Sequence, residues 1–170
     1  VYNTLIDGYC RIGDIQCAIE LSDNMIIHGL VPNSVTLGSL VSGFCKVNQI
    51  DRAVQLVEEK LSEGLCMNAG GFTSFIHELC KKSELGSALR FTKEMILRNM
   101  KPNDTLLTRL IKGLCKNKNH SDAVELWFLL LKKSFKVNTV ASNALIHGLC
   151  EAGRMQDAVR LLKEMLERNV

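Results

Sequence analysis

Apolar residues recur along this chain on two scales. Locally they fall one and four apart, as in Leu5, Ile6, Tyr9 and Cys10, which sets them on a single stripe of an α-helix. At longer range each returns 35 residues later. Cys10, Cys45, Cys80, Cys115 and Cys150 step evenly, as do Ala18, Ala53, Ala88, Ala123 and Ala158. Ile6, Val41, Ile76, Ile111 and Ile146 keep the same period, and so do Leu21, Leu56, Phe91, Leu126 and Leu161. No insertion or deletion breaks the register, so the chain is a tandem repeat.

Each period predicts two helices. The first ends near Gly13, Asn48, Ser83 and Gly153, where Gly and Asn tolerate a left-handed cap. The second carries Ala18, Leu21 and Met25 on one face and stops at Gly29, Gly64, Asn99, Ser134 and Asn169. An apolar residue follows each stop (Leu30, Leu65, Met100, Phe135, Val170), and Pro32 and Pro102 then prevent continuation. A two-helix unit is too thin to bury its own stripe, so neighbouring units must stack into an all-α solenoid. Both ends of the chain cut through a unit and neither has a polar cap, so the expectation is a segment of a longer protein.

The 170 residues suit one short repeat array, and 46% hydrophobic content excludes a disordered polar chain. Lys and Arg number 21 against 18 Asp and Glu, a net charge of +3. Nucleic-acid binding would therefore need cations in chosen places, not a general excess. The longest apolar run, "LWFLLL" at 126–131, falls far short of the roughly 18 residues of a membrane span, and no membrane partner is expected. No signal peptide opens the chain, and any targeting segment is expected to lie outside it.

The 35-residue units carry "YNTLIDGYCRIGDIQCAIELSDNMIIHGLVPN" and "NALIHGLCEAGRMQDAVRLLKEMLERN". These resemble the pentatricopeptide repeat family, P-class, of plant organellar proteins, over the whole chain. In that family's register 1–33 is a partial motif, 34–68, 69–103 and 104–138 are complete, and 139–170 is partial. The resemblance implies a right-handed α-solenoid that binds single-stranded RNA at one nucleotide per repeat, each base read by two or three side chains.

The resemblance also implies the site. The fifth and last residues of each motif read the Watson–Crick edge, pairing Asn3 with Asn33, Gly38 with Asn68, Thr73 with Asn103, and Thr108 with Asn138, with Asn143 alone in the last motif. The second residues, Val35, Gly70, Thr105 and Val140, pack against base faces. Asn offers a donor and an acceptor, and a Thr hydroxyl serves as either. Thr with Asn implies adenine and Asn with Asn a pyrimidine, whereas Gly38 has no side chain with which to read. Gly70 and Gly71 remove an apolar wall and are expected to loosen their helix start. The plainer reading of the four closing Asn residues is a turn residue in left-handed geometry.

Arg11, Lys46, Lys81 and Lys116 each follow the repeating Cys, a position that in the family lies near RNA phosphates. A cation there also suits a helix C-terminus, by about 0.3–1 kcal/mol. Glu151 breaks this pattern.

Other chemistry is poorly supported. His77 with Cys80 and His147 with Cys150 form H-x-x-C pairs, but two repeats apart, on the order of 20 Å at usual helix spacings. Equivalent cysteines in adjacent repeats stand roughly 10 Å apart, too far for a bridge that needs about 7 Å or less between Cα atoms. The cysteines read as small apolar fillers of a repeated gap, with no metal, cofactor, small-molecule substrate or enzymatic role expected. Free thiols fit a reducing compartment. Phe128 stands where other repeats have Asp23, Lys93 or Lys163, which predicts an exposed aromatic suited to a protein contact.

The expectation is sequence-selective RNA binding in processing, stability, editing or translation within a plant organelle, the chloroplast before the mitochondrion. Organellar RNA is the expected partner, with other RNA-processing proteins beside it. The alternative is a helical scaffold for protein partners.

Overall fold

The computed structural model describes residues 1–168; Asn169 and Val170, and with them the last expected helix stop, lie outside the described residues. Among the described residues are ten α-helices and no strand: α1 (Tyr2–Ile12), α2 (Ile15–Ile27), α3 (Ser34–Lys46), α4 (Ile50–Ser62), α5 (Ala69–Lys81), α6 (Leu85–Leu97), α7 (Asp104–Lys116), α8 (His120–Lys132), α9 (Thr139–Glu151) and α10 (Met155–Arg168). This is an all-α helical-repeat solenoid, with two helices to each period. None of these helices is long and apolar enough to cross a membrane.

The connections repeat one device. After each first helix a residue turns left-handed and the next N–H reaches back five residues, as in Asp14 to Tyr9 O (3.0 Å), Gln49 to Phe44 O (2.9 Å) and Arg154 to Leu149 O (2.8 Å). After the second helices the apolar follower does the same, with Leu30 bonded to Met25 O and Phe135 to Leu130 O, both at 3.0 Å. This is the Schellman arrangement, which satisfies carbonyls that the helix leaves orphaned. Gly fills the left-handed position at Gly13, Gly29, Gly64 and Gly153, but Asn48, Ser83, Asn99, Lys118 and Ser134 also occupy it, at φ between 59° and 64°. Lys118 carries no sequence cue for that conformation; the Asn119 N–H bond to Leu114 O, at 2.8 Å, holds it there.

The chain divides into two compact units, Val1–Glu78 and Leu79–Val170, the boundary falling inside α5. In the first, α1 packs on α2 and α3, and α3 packs on α4. In the second, α7 packs on α9, α6 on α8, and α9 on α10. First helices thus stack on first helices, and their buried rows (Ile6, Leu37, Val41 and Phe44; Leu107, Leu110, Ile111 and Leu145) form the cores.

Successive repeats interlock through a missing side chain. A Cβ built on Gly43 would stand 2.6 Å from Ile15 Cδ1 and 2.8 Å from Cys10 Sγ. At Gly148 it would meet Cys115 Sγ at 2.7 Å, and at Gly113 it would meet Leu85 Cδ2 at 3.0 Å. Cys10 and Cys115 therefore fill the notches left by Gly43 and Gly148, as expected of a small apolar filler, whereas Leu85 of α6 fills the one at Gly113. Cys10 and Cys45 are buried, and Cys80 and Cys115 are half-buried. Burial pushes the Cys10, Cys80 and Cys115 thiols above their ordinary range, which keeps them neutral packing groups. Cys150 departs from the expectation. It is exposed, because α9 packs on α7, α8 and α10 and none of them covers that thiol. All seven cysteines are free.

Two other expectations are corrected. Leu5 lies outside the buried stripe at 48% exposure, although its equivalents Leu40, Phe75, Leu110 and Leu145 are buried, because the main packing of α1 on α2 and α3 leaves that side chain uncovered. Phe128 is half-buried, not exposed. Its ring meets Trp127 edge-on at 5.3 Å between centroids and lies beneath the Arg160 guanidinium, 4.8 Å from its centre. Trp127 is fully buried and its indole N–H donates to Ser142 Oγ at 3.0 Å. This cluster occupies Phe128 within its own unit.

Two stability effects follow. Gly148→Ala is expected to cost about 1–3 kcal/mol, since the notch is already filled, whereas Gly8→Ala, with nothing within 4 Å of the added Cβ, is expected to gain about 0.5–1 kcal/mol of helix stability. Urea unfolding of both variants checks the opposite signs. Ser134→Gly is expected to raise the thermal midpoint, removing a left-handed penalty of about 1 kcal/mol.

Candidate nucleic-acid interface

The four motif-closing asparagines sit at the starts of first helices. Asn33, Asn103 and Asn138 are N-caps in extended geometry, with φ of −117°, −72° and −73°, so they are not the left-handed turn residues of the plainer reading. Asn103 Oδ1 accepts from Leu106 N–H at 2.7 Å and Asn138 Oδ1 from Ala141 N–H at 2.6 Å. Asn33 Oδ1 accepts from the Val35 and Thr36 N–H groups within a full capping box. Asn68 Oδ1 accepts from Gly71 N–H at 2.8 Å. That bond anchors the start of α5 at Ala69, ahead of Gly70 and Gly71. Such a cap stabilises a helix by about 0.5–2 kcal/mol relative to Ala. Because each Oδ1 is turned into the helix, each cap leaves its Nδ2 group as the donor that can face outward.

Three of the fifth-position residues have a defined polar setting or lack one. Asn3 is half-buried: Thr36 Oγ1 donates to its Oδ1 at 2.7 Å, and its Nδ2 donates to Asn33 Oδ1 at 3.4 Å. Asn3 and Asn33 are thereby joined, and both present amide donors. Thr108 donates its hydroxyl to Asp104 O at 2.8 Å and so offers only its acceptor lone pairs to a ligand. Gly38 offers no side chain. Thr73 lies half-buried on α5 and Asn143 exposed on α9.

Two open grooves, one in each unit, are lined by the same register positions. In the second unit a groove of about 530 Å3 brings together Thr105, Thr108, Asn138 and Val140. In the first a groove of about 310 Å3 brings together Val35, Gly38, Asn68 and Gly70. Each thus holds a fifth residue, a closing residue and two successive second residues, with the exposed side chains of Val35 and Val140 as apolar walls.

The charged residues are less regular. Arg11, Lys46, Lys81 and Lys116 are all exposed in the last turns of their helices, and Arg11 is engaged by Asp7 at 2.7 Å. None of them lines either groove. The second unit's groove instead holds Arg109 and Lys112, which a search for periodic cations misses because the equivalent residues are Ser39 and Ser42 in the first unit. The available signal was local: Lys112 stands one helical turn beyond Thr108. The contrast extends to whole units. Residues 1–78 carry four Lys and Arg against nine Asp and Glu, net −5, and residues 79–170 carry 17 against nine, net +8, together the +3 of the chain.

The described residues contain no group of three or more His, Cys, Asp or Glu able to hold a metal ion. His147 pairs instead with Glu151, at 3.4 Å.

A model described as PPR repeat matches residues 35–65, 72–100 and 106–135, and one described as PPR repeat family matches residues 1–46 and 137–170. No curated protein matches the chain by sequence. Among solved structures, the pentatricopeptide repeat protein PPR10 from maize superposes with a TM-score of 0.67 at 22% identity, over 98% of this chain and 24% of that one. PPR10 in complex with an 18-nt psaJ RNA element gives 0.55 at 23% identity, over 99% and 25%. The PPR domain of Arabidopsis thaliana protein-only RNase P 1, in complex with tRNA, gives 0.64 at 15% identity, over 98% and 88%. These likenesses show a shared fold, and the chain spans about a quarter of the maize protein. With its period, its paired helices and family models covering most of its length, the chain belongs to the PPR repeat family.

Proposed function

We propose that this chain binds single-stranded RNA with base selectivity, one nucleotide to each groove between successive first helices. The observation that carries it is the recurrence of one set of register positions around two separate grooves, one of which adds Arg109 and Lys112. Two solved structures similar in fold are RNA complexes by their descriptions, one with an 18-nt element and one with tRNA.

The polar groups in the second unit's groove set its preference. Thr108 presents an acceptor, because its hydrogen is held by Asp104 O, and Asn138 presents an Nδ2 donor, because its oxygen caps α9. The Watson–Crick edge of adenine supplies the complement, an amino donor beside a ring-nitrogen acceptor. Thr105 and Val140 flank the base. Asn3 and Asn33 present amide donors and suit the acceptor-rich edge of a pyrimidine. The groove at Gly38 has only Asn68 to read with and discriminates weakly. Phosphates are held mainly along the second unit, where the positive charge lies. The segment itself binds without catalysis. An organellar setting, the chloroplast before the mitochondrion, belongs to the same proposal and rests on the family resemblance alone.

Thr108→Asn is the direct test. Its hydroxyl acceptor is replaced by an amide, so preference for adenine at the facing nucleotide is expected to fall by about 1–3 kcal/mol in favour of a pyrimidine, read by competition with RNAs that differ at that nucleotide. Unchanged preference removes Thr108 from the reading set, and binding indifferent to sequence throughout favours a protein scaffold. Lys112→Gln is expected to lower the slope of log K against log salt by about 0.7 while leaving base preference as it was.

A further inference from the structure

The second helices of the first unit enclose a hollow that RNA binding does not use. It lies between α2 and α4, holds about 290 Å3, and is floored by Leu37 and Phe44 and walled by Leu56. Ser22, Asp23 and Glu59 line its polar side. Its cause is visible in the register. Ser22 stands where the fourth repeat has Trp127, which is fully buried and fills the corresponding space in the second unit. A serine in place of an indole leaves the space open.

Two further observations indicate what fits there. Ser22 is 8% exposed and lines the hollow with a small side chain, whereas its equivalent Thr92 donates to Ala88 O at 2.7 Å. Two acids, Asp23 and Glu59, and two cations, Arg52 and Lys60, line the hollow. Helix α2 carries Glu20 and Asp23 and no Lys or Arg, and Asp23 has no ion-pair partner among the described residues. Of the two cations that line the hollow, Lys60 is held by Glu63 at 2.9 Å and Glu59 at 3.4 Å, and Arg52 lies over the Phe44 ring. Exposed Ile26, Ile27, Leu30 and Val31 extend an apolar lip from the hollow along the end of α2.

We propose that this hollow is a docking site for a basic segment of a partner protein, which inserts one aromatic side chain and sets a cation against Asp23. Trp127 shows within the same chain that an indole fits this position between repeats and can donate to a serine hydroxyl. A net charge of −5 over residues 1–78 attracts a basic segment and repels a second strand of RNA.

The test measures binding of a labelled peptide KRAWARK to the full chain by fluorescence polarisation, with KRAAARK and the acidic EDAWADE as controls. The tryptophan peptide is expected to bind saturably and at least tenfold more tightly than either control. Ser22→Trp, which closes the hollow with the side chain found at position 127, is expected to weaken it at least tenfold with RNA affinity unchanged. Asp23→Lys leaves the core untouched and is expected to weaken the peptide several-fold should the tryptophan variant fold poorly. Equal binding of KRAWARK and KRAAARK, indifference to both substitutions, or no binding at all overturns the proposal. Loss of RNA affinity in Ser22→Trp would place the hollow in the RNA surface instead. Self-association of the chain that Ser22→Trp abolishes would assign the hollow to a second copy.

Discussion

The architecture rests on a steric constraint at one position of the first helix. Where Gly43, Gly113 and Gly148 stand, the neighbouring repeat comes so close that no Cβ fits without displacement, and Cys10, Leu85 and Cys115 fill the space. Close approach at that point lets a short helix pair share one continuous core with its neighbour, which a thin unit cannot build alone. The candidate base-reading residues five positions earlier on the same helix inherit their separation from this contact. The interlock thus sets both the stacking of repeats and the pitch at which any ligand is read.

Much of this was legible beforehand, for a physical reason. Repeats that stack on copies of themselves demand the same residue size at the same place, so Cys, Ala and the branched apolar residues recur without a slip. The left-handed stops announce themselves where Gly or Asn occupies them. Lys118 shows the limit, since there the returning hydrogen bond imposes the conformation on a residue that does not favour it.

What the period hides is whatever one repeat does alone. Leu5 matches its register mates in type and differs from them in burial, because burial depends on the neighbour and not on the residue. Phe128 looked solvent-facing by analogy with charged equivalents, but Trp127 and Arg160 gather it in. Arg109 and Lys112 fell outside a search for recurring cations, and the opposed charges of the two units disappear within a whole-chain +3. The candidate base readers were placed through family resemblance, and the geometry adds which end of each amide and hydroxyl remains free.

The closing asparagines also bear on how such a repeat can change its preference. Each sits at a helix start with its oxygen bound to backbone N–H groups, so under the proposed function one side chain is both a structural cap and half of a reading pair. A replacement must satisfy both duties. Side chains that cap well are Asn, Asp, Ser and Thr, so the vocabulary at that position narrows to a few short polar residues. The fifth position, inside the helix, carries no such duty and tolerates a wider choice, Gly38 included. Recoding of a repeat is therefore lopsided: one letter of each pair is drawn from a small alphabet set by helix geometry, and the other is free to drift.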